Sequence, residues 1–532
     1  MDLHEQPTVT WNEAESNQKQ ASEAGDTAAP KSGGSQRRAP RMSRRKLAGI
    51  ATLGIVGAGA VVVGGAALEK WESSHGAAAN TAQMGHLMRR AGFGMAPGDL
   101  ATYATYDFSK AVDRLINYQQ VPDTTMENRL NALKLNLDTP TTQQQWWLLR
   151  MAWTQRPLLE KMTLFWHGVL TSSFHKVGGA KVARRMIVQN QFLRAHAFDT
   201  FDNILLGITS DPAMLIFLDL NTSKKTLPNE NYARELMELF TLGLGNYTQE
   251  DVHEAALALT GWHVAAESTK ALYHPQTHNT EIKHLLGQTG NFDYRDVIRI
   301  LANHPATSWS LCHKLFTFFA YENPSKDDLT PLVETYAKSN HNMGEVMRTL
   351  LLSPQFSSPK AYRSRLKSPA EYIVGAYRAL NMQGDGASLP AMATLMGQTL
   401  FAPPNVAGWP GDKVSALWLN SGTWMTRLNY IDSLLVGERG KQTGTTQALD
   451  IQATVNANAI DTPEHFIDYF SSLLLDGVLE QNRRTQFLDY FTAPDSSKTG
   501  GSITLTSDKS YPLSRVRGAL YLLLTSPEYQ LN

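Results

Sequence analysis

From residue 85 onward, apolar residues recur at i, i+3, i+4 and i+7, the spacing of one face of an α-helix. The pattern is clearest over 158–169, 182–193, 252–259, 297–301 and 372–380. Several starts carry their own signal. Ser368-Pro369-Ala370-Glu371 joins an N-cap serine, a proline in the first turn and a capping-box glutamate. Thr248 and Asp251 form a looser box, and Asp211-Pro212 and Thr462-Pro463 mark two further starts. Strand signals are few. The stretch 263–290 breaks the helical spacing with Pro275, Gly287 and Gly290, and reads as a small hairpin or a long ordered loop. Segments 437–456 and 495–509 are polar and weakly patterned, and read as exposed insertions. An apolar run stopped at Ser-Pro and followed by an aromatic occurs at 350–356 and again at 522–529, which is not a solenoid period. The expected fold is mainly α: a multi-helix globular array with a small irregular or β-hairpin insertion.

The N-terminal part follows other rules. Residues 1–42 are polar with almost no aliphatic side chains, and read as a disordered extension. Ser43-Arg44-Arg45-Lys46-Leu47 then leads into an uncharged run over 47–68, the order of an export signal. The Arg44–Arg45 pair resembles the twin-arginine type. Ala77-Ala78-Ala79 offers a cleavage site; uncleaved, an apolar run of about 20 residues is long enough to anchor in a bilayer. Met42 would start a more compact signal. The chain divides into 1–42, a signal or membrane anchor at 43–79, a main helical domain at 80–436, and 437–532. That last part combines an insertion with C-terminal helices packing on the main domain. Either fate of the signal implies an extracytoplasmic location, periplasmic or at the cell surface.

Composition narrows the chemistry. At 532 residues, 42% hydrophobic and 18% charged, the chain can bury a large core. Lys+Arg and Asp+Glu both total 49, so no overall field draws it to nucleic acid. Cys312 is the only cysteine, which rules out an intrachain disulfide and covalent c-type haem; it sits in an apolar helical stretch and reads as a buried thiol. The GxSxG elbow, the phosphate loop, HExxH and a strand-linked GxGxxG are all missing.

Three constellations remain. Asn231, Arg234, Glu235 and Glu238 share one helical face, apart from the apolar Tyr232, Leu236, Leu239 and Phe240. Glu235 and Glu238 are candidates for an acid/base pair or cation ligands with Arg234 orienting them; the plainer alternative is an intrahelical network of Arg234 with Glu230 and Glu238. Glu160, Thr163, His167 and Thr171 form a second polar stripe, with His167 a proton-transfer candidate or a hydrogen-bonded boundary residue. His263, His274, His278 and His284 crowd the irregular segment. His263 and His278, with Glu235, are the metal candidates, although their spacing matches no zinc signature. The turn at 403–411 reads as rigid, either displaying Trp409 to line a pocket or plugging a core with it.

Taken together, HLMRRAGFG (86–94), FWHG (165–168), NYARELMEL (231–239), LTGW (259–262), LGQTGNF (286–292) and PPNVAGWPG (403–411) resemble the motifs of a large bacterial family, domain of unknown function 1800. The resemblance runs in order from about residue 85 to Ser526-Pro-Glu-Tyr529. It implies a mainly helical exported protein with no established activity. Arg90, Asn231, Trp262, Asn405 and Trp409 lie within these motifs and are the ligand-binding candidates. Relatives often carry Asp where this chain has Asn279 after His278, which weakens a metal site there. Genes of relatives frequently neighbour those of an exported family resembling sulfatases and phosphatases, which points to such a partner.

Two readings follow. One is an extracytoplasmic hydrolase-like enzyme, metal-dependent or not, whose polar helix stripes converge on a cleft. The other is a non-enzymatic binding or assembly protein of the envelope. A noncovalent cofactor carrier is a third, with no axial ligand pair to name.

Overall fold

The computed structural model describes residues 77–178, 183–437, 448–494 and 501–532. The expectations for the extension, the export signal with Arg44 and Arg45, and the apolar run 47–68 lie outside the described residues.

Two helices with almost no solvent-facing side form the centre. Every residue of Pro369–Ala379 is buried, and so is every residue from Pro157 to His167 in the helix Pro157–Val169. A helix apolar on all sides is covered on all sides, and the chain supplies the cover. In chain order we label α1 Ala77–Arg90, α2 Pro140–Trp153, α3 Pro157–Val169, α4 Arg184–Ala195, α5 Asn231–Glu235, α6 Gln249–Ala258 and α7 Pro305–Phe319. Further on come α8 Pro369–Ala379, α9 Ser421–Val436, α10 Pro463–Leu475 and α11 Leu513–Leu524. Helix α3 packs between α2 and α4, while α8 packs on α2 and α9; α11 joins α9 to α10, and α10 reaches α1.

The starts read from sequence form as expected. Ser368 Oγ accepts from Glu371 N–H while Glu371 returns a bond to Ser368 N–H, a complete capping box on α8. Thr248 and Asp251 do the same on α6, and Asp211 and Thr462 cap helices that begin with proline. Both Ser-Pro stops fold their aromatic inward, leaving Phe356 and Tyr529 buried. Cys312 is buried on α7.

The fold is mainly α with small β insertions. The 263–290 segment makes two antiparallel hairpins: β1 Trp262–Val264 with β2 Ala271–Tyr273, and β3 Lys283–Leu285 with β4 Gln288–Gly290. The second turns through Leu286 and Gly287, both at positive φ, and β3 lies on α6. A third hairpin, β5 Ser502–Thr504 with β6 Ser510–Pro512, lies in the segment read as exposed, and most of residues 501–510 are exposed. Ile503 and Leu505 alternate inward and are buried, a period of two too short to stand out in a polar stretch. In the other supposed insertion, Ile451–Ala457 is a helix that buries Ile451 and Val455; residues 438–447 are not described. Among the described residues no helix is long and apolar enough to cross a membrane.

Candidate active site

The α5 stripe is only half built as read. The α-helix ends at Glu235, and Leu236–Phe240 continues as a wider π turn. Thr241 Oγ1 bonds Leu236 O at 2.6 Å and Gly243 N–H bonds Met237 O at 3.2 Å, satisfying carbonyls that the tighter ladder leaves. Arg234 pairs with Glu230 at 3.2 Å and with Gln249, while Glu238 takes the Tyr247 hydroxyl at 2.7 Å in place of the expected Arg234 contact. Glu230 also accepts from Gln249 and contacts His253. Burial, and next the Glu238 charge, raises the Glu235 carboxyl above its ordinary range. Asn231 bonds Asp219 through its side chain. The stripe is a half-buried network at the start of the π turn.

The metal candidates are not brought together. His263 Nε2 meets Thr277 Oγ1 at 2.8 Å, and His278 Nδ1 meets Thr260 O at 3.1 Å. Among the described residues no three His, Cys, Asp or Glu side chains gather in a metal-holding arrangement. Trp262 is buried at the head of β1 against Tyr273 and Tyr294.

The remaining candidates lie around one cluster of packed and paired side chains, here called the Asp412 recess. Trp409 is not displayed: it is 2% exposed and packs edge-on against His167 at 5.4 Å. Its turn is held by Asn405, whose Oδ1 accepts from Ala407 N–H, and by Gly408 at φ +82°. A Cβ on Gly408 would lie 2.3 Å from Gly168 O, so the glycine lets the turn close onto the end of α3. Gly408→Ala is expected to destabilise by roughly 1–3 kcal/mol from backbone strain alone, with the clash adding to it. A urea midpoint unchanged from wild type would show that the turn is not seated on Gly168.

His167 is a core residue. Its Nε2 accepts the Phe401 N–H at 3.2 Å, and burial lowers its pKa to about 3, so the ring stays neutral. The expected proton-transfer role is therefore not open to it in this arrangement: the basic nitrogen is already taken. Arg90 likewise closes a helix end, giving Nε to Phe319 O and Nη2 to Phe318 O and Ala320 O at the end of α7.

Beneath the turn lies an ion pair. Lys161 of α3 binds Glu371 of α8 and donates to Gly92 O at 2.9 Å. Burial lowers the lysine to about 8 against the pull of Glu371. Burial alone would raise Glu371, but Lys161 and then Arg90 outweigh it and hold the carboxyl at about 2. Arg365 pairs with Glu322 at 3.1 Å and donates to Asp412 O at 2.8 Å, fixing the short helix Pro410–Lys413.

Asp412, one residue past the 403–411 motif, stands apart. The six buried carboxylates among the described residues all accept hydrogen bonds: Asp99, Asp123, Glu160, Asp211, Glu371 and Asp476. Asp412 is half-buried, with Oδ2 lying 3.0 Å from where a Gly168 Cβ would stand. No donor among the described residues bonds it. Desolvation raises it to about 7, although Arg365 and Lys161 pull the other way; Glu371 adds to the rise. The neutral form of Asp412 is favoured well beyond that of an ordinary aspartate, beside a fixed field of paired charges.

Sequence reading missed Asp412, Lys161 and Glu371. Glu371 was legible only as a cap, and Asp412, just beyond the 403–411 motif, was not singled out. The available signal was Lys161, a charge on the apolar side of a helix otherwise fully buried.

Comparison with protein families gives a match over residues 86–531 to the family described as Protein of unknown function (DUF1800). No curated protein and no solved structure matches.

Proposed function

Because the chain belongs to the DUF1800 family, described only as of unknown function, we propose its activity from the site alone: a hydrolase-like enzyme whose general acid/base is Asp412. The observation that carries this is a half-buried carboxyl that no donor among the described residues bonds, raised by desolvation beside the Lys161–Glu371 pair. A group poised near 7 both takes and gives protons at neutral pH. The Lys161–Glu371 pair and Arg365 are locked by their own bonds, so their charges are preorganised for a developing negative charge. Glu235, held above its ordinary range near Glu238, is a secondary site rather than part of this recess. A carboxyl-detected NMR titration of wild type against Asp412→Asn tests the reading. The signal missing from the variant is expected to titrate near 7; a midpoint near 4 removes the acid/base role.

An extracytoplasmic location belongs to the same proposal, supported by Ser43-Arg44-Arg45-Lys46-Leu47 and the run that follows. Replacing both Arg44 and Arg45 by Lys is expected to leave the protein in the cytoplasmic fraction of a host with the twin-arginine route; unchanged export would refute that signal. The sulfatase- or phosphatase-like partner, and membrane attachment through an uncleaved signal, stand as further proposals. A second reading, an envelope binding or assembly protein, draws support from Leu227 and Leu244, which flank the α5 stripe in sequence and are 74% and 72% exposed. A low Asp412 midpoint would move that reading ahead.

A further inference from the structure

Away from the Asp412 recess, α1 and the loop before α8 bury more positive than negative charge. Arg89, Arg363 and Lys367 surround one carboxylate, Asp476, at the end of α10. Arg89 binds Asp476 through Nη1 only. Its Nε and Nη2 are buried and have no hydrogen-bond partner. Those two N–H groups form the side edge of the guanidinium fork, the edge that holds two oxygens of an oxyanion in parallel bonds. Arg363 gives Nη2 to Leu475 O at 2.7 Å and leaves its buried Nε unpartnered too. The Lys367 ammonium lies 3.5 Å from the centre of the Tyr529 ring, and no hydrogen bond to it is formed among the described residues.

Asp476 accepts through Oδ2 from Arg89 and, at 3.0 Å, from the Tyr362 hydroxyl. Its charge offsets one of the two guanidinium charges, while burial holds the Lys367 pKa well below the ordinary lysine value. The Tyr362 ring lies beside both guanidinium groups. The Arg89 and Arg363 guanidinium carbons lie 5.4 and 5.2 Å from the Tyr362 ring centre, and Tyr362 lines a pocket with Gln83, His86 and Ser358. Buried donors without partners are uncommon in folded proteins, and an ion is one of their ordinary explanations. Water would satisfy the donors but leave the charge excess, which is the costlier part.

We propose that Arg89, Arg363 and Lys367 bind a small oxyanion, of the phosphate, sulfate or carboxylate kind, between α1 and the loop before α8. The site is independent of Asp412. It ties the first described helix to the core by charge as well as by packing.

The test uses the full chain purified in chloride buffer. Equilibrium dialysis against labelled phosphate, with sulfate and acetate as competitors at constant ionic strength, measures uptake. Ion chromatography of the denatured protein measures any oxyanion carried through purification. One equivalent, bound or carried, is expected, and the better competitor identifies the anion class. Lys367→Met removes a cation without orphaning Asp476, and is expected to weaken binding at least tenfold. Arg363→Gln serves as the second variant if the first fails to fold. No oxyanion bound or carried by wild type, or equal uptake by a folded variant, overturns the proposal.

Discussion

Lys161→Met is expected to destabilise the protein by about 3–5 kcal/mol at neutral pH, the range for breaking a buried ion pair by removing one partner. The lysine is fully buried, so no water replaces its ammonium beside Glu371. Glu371 keeps the Ser368 N–H at 2.7 Å and the Asn532 amide at 2.6 Å, which preserves the cap of α8 but leaves the charge unbalanced. Two observations separate charge from packing. First, Lys161→Met with Glu371→Gln is expected to recover much of the loss, because the pair then contains no uncompensated charge. Second, the acid limb should change. The folded Glu371 pKa of about 2 lies below its ordinary value of 4.5, so its contribution is present above 4.5 and is lost as pH falls towards 2. Without Lys161 that window narrows. Urea midpoints across pH 2–7 measure both effects. A single variant within 1 kcal/mol of wild type, roughly the worth of an exposed pair, would mean that water reaches the lysine.

How much was visible beforehand follows from what each signal depends on. Capping boxes at Ser368 and Thr248 were legible because they involve four consecutive residues. So were the amphipathic helices, whose period survives in the sequence. The π turn at Leu236–Phe240 was not, since nothing in NYARELMEL separates it from an α-helix; its cause is the capture of Leu236 O by Thr241. The Arg234–Glu238 contact failed for the same reason, and Tyr247 took the carboxylate instead. The motif residues His167, Arg90 and Trp409, singled out as site candidates, are each buried side chains that pack or bond within the core. The groups with perturbed protonation arrive from distant parts of the chain. Lys161 and Glu371 lie 210 residues apart, and no periodicity encodes such a meeting.

The same comparison separates structure from chemistry at Asp412. If the residue were a structural anion, its carboxylate would be bonded and its removal would destabilise. The recess predicts the reverse for Asp412→Asn above neutral pH. The folded carboxyl titrates near 7, well above the ordinary 3.8. Between those values the folded state therefore holds more protons than the unfolded chain, so wild-type stability falls as pH rises from about 4 to 7 and stays lower beyond. Asparagine does not titrate and keeps a similar shape. The variant is expected to match wild type near pH 4 and to melt at a higher temperature at pH 8, with the gap opening through the window between. A gap that stays constant with pH, or a variant less stable at pH 8, would mean that the carboxylate is paired in the fold. Stability given up at neutral pH to keep one carboxyl near 7 is the trade expected of a residue retained for proton transfer.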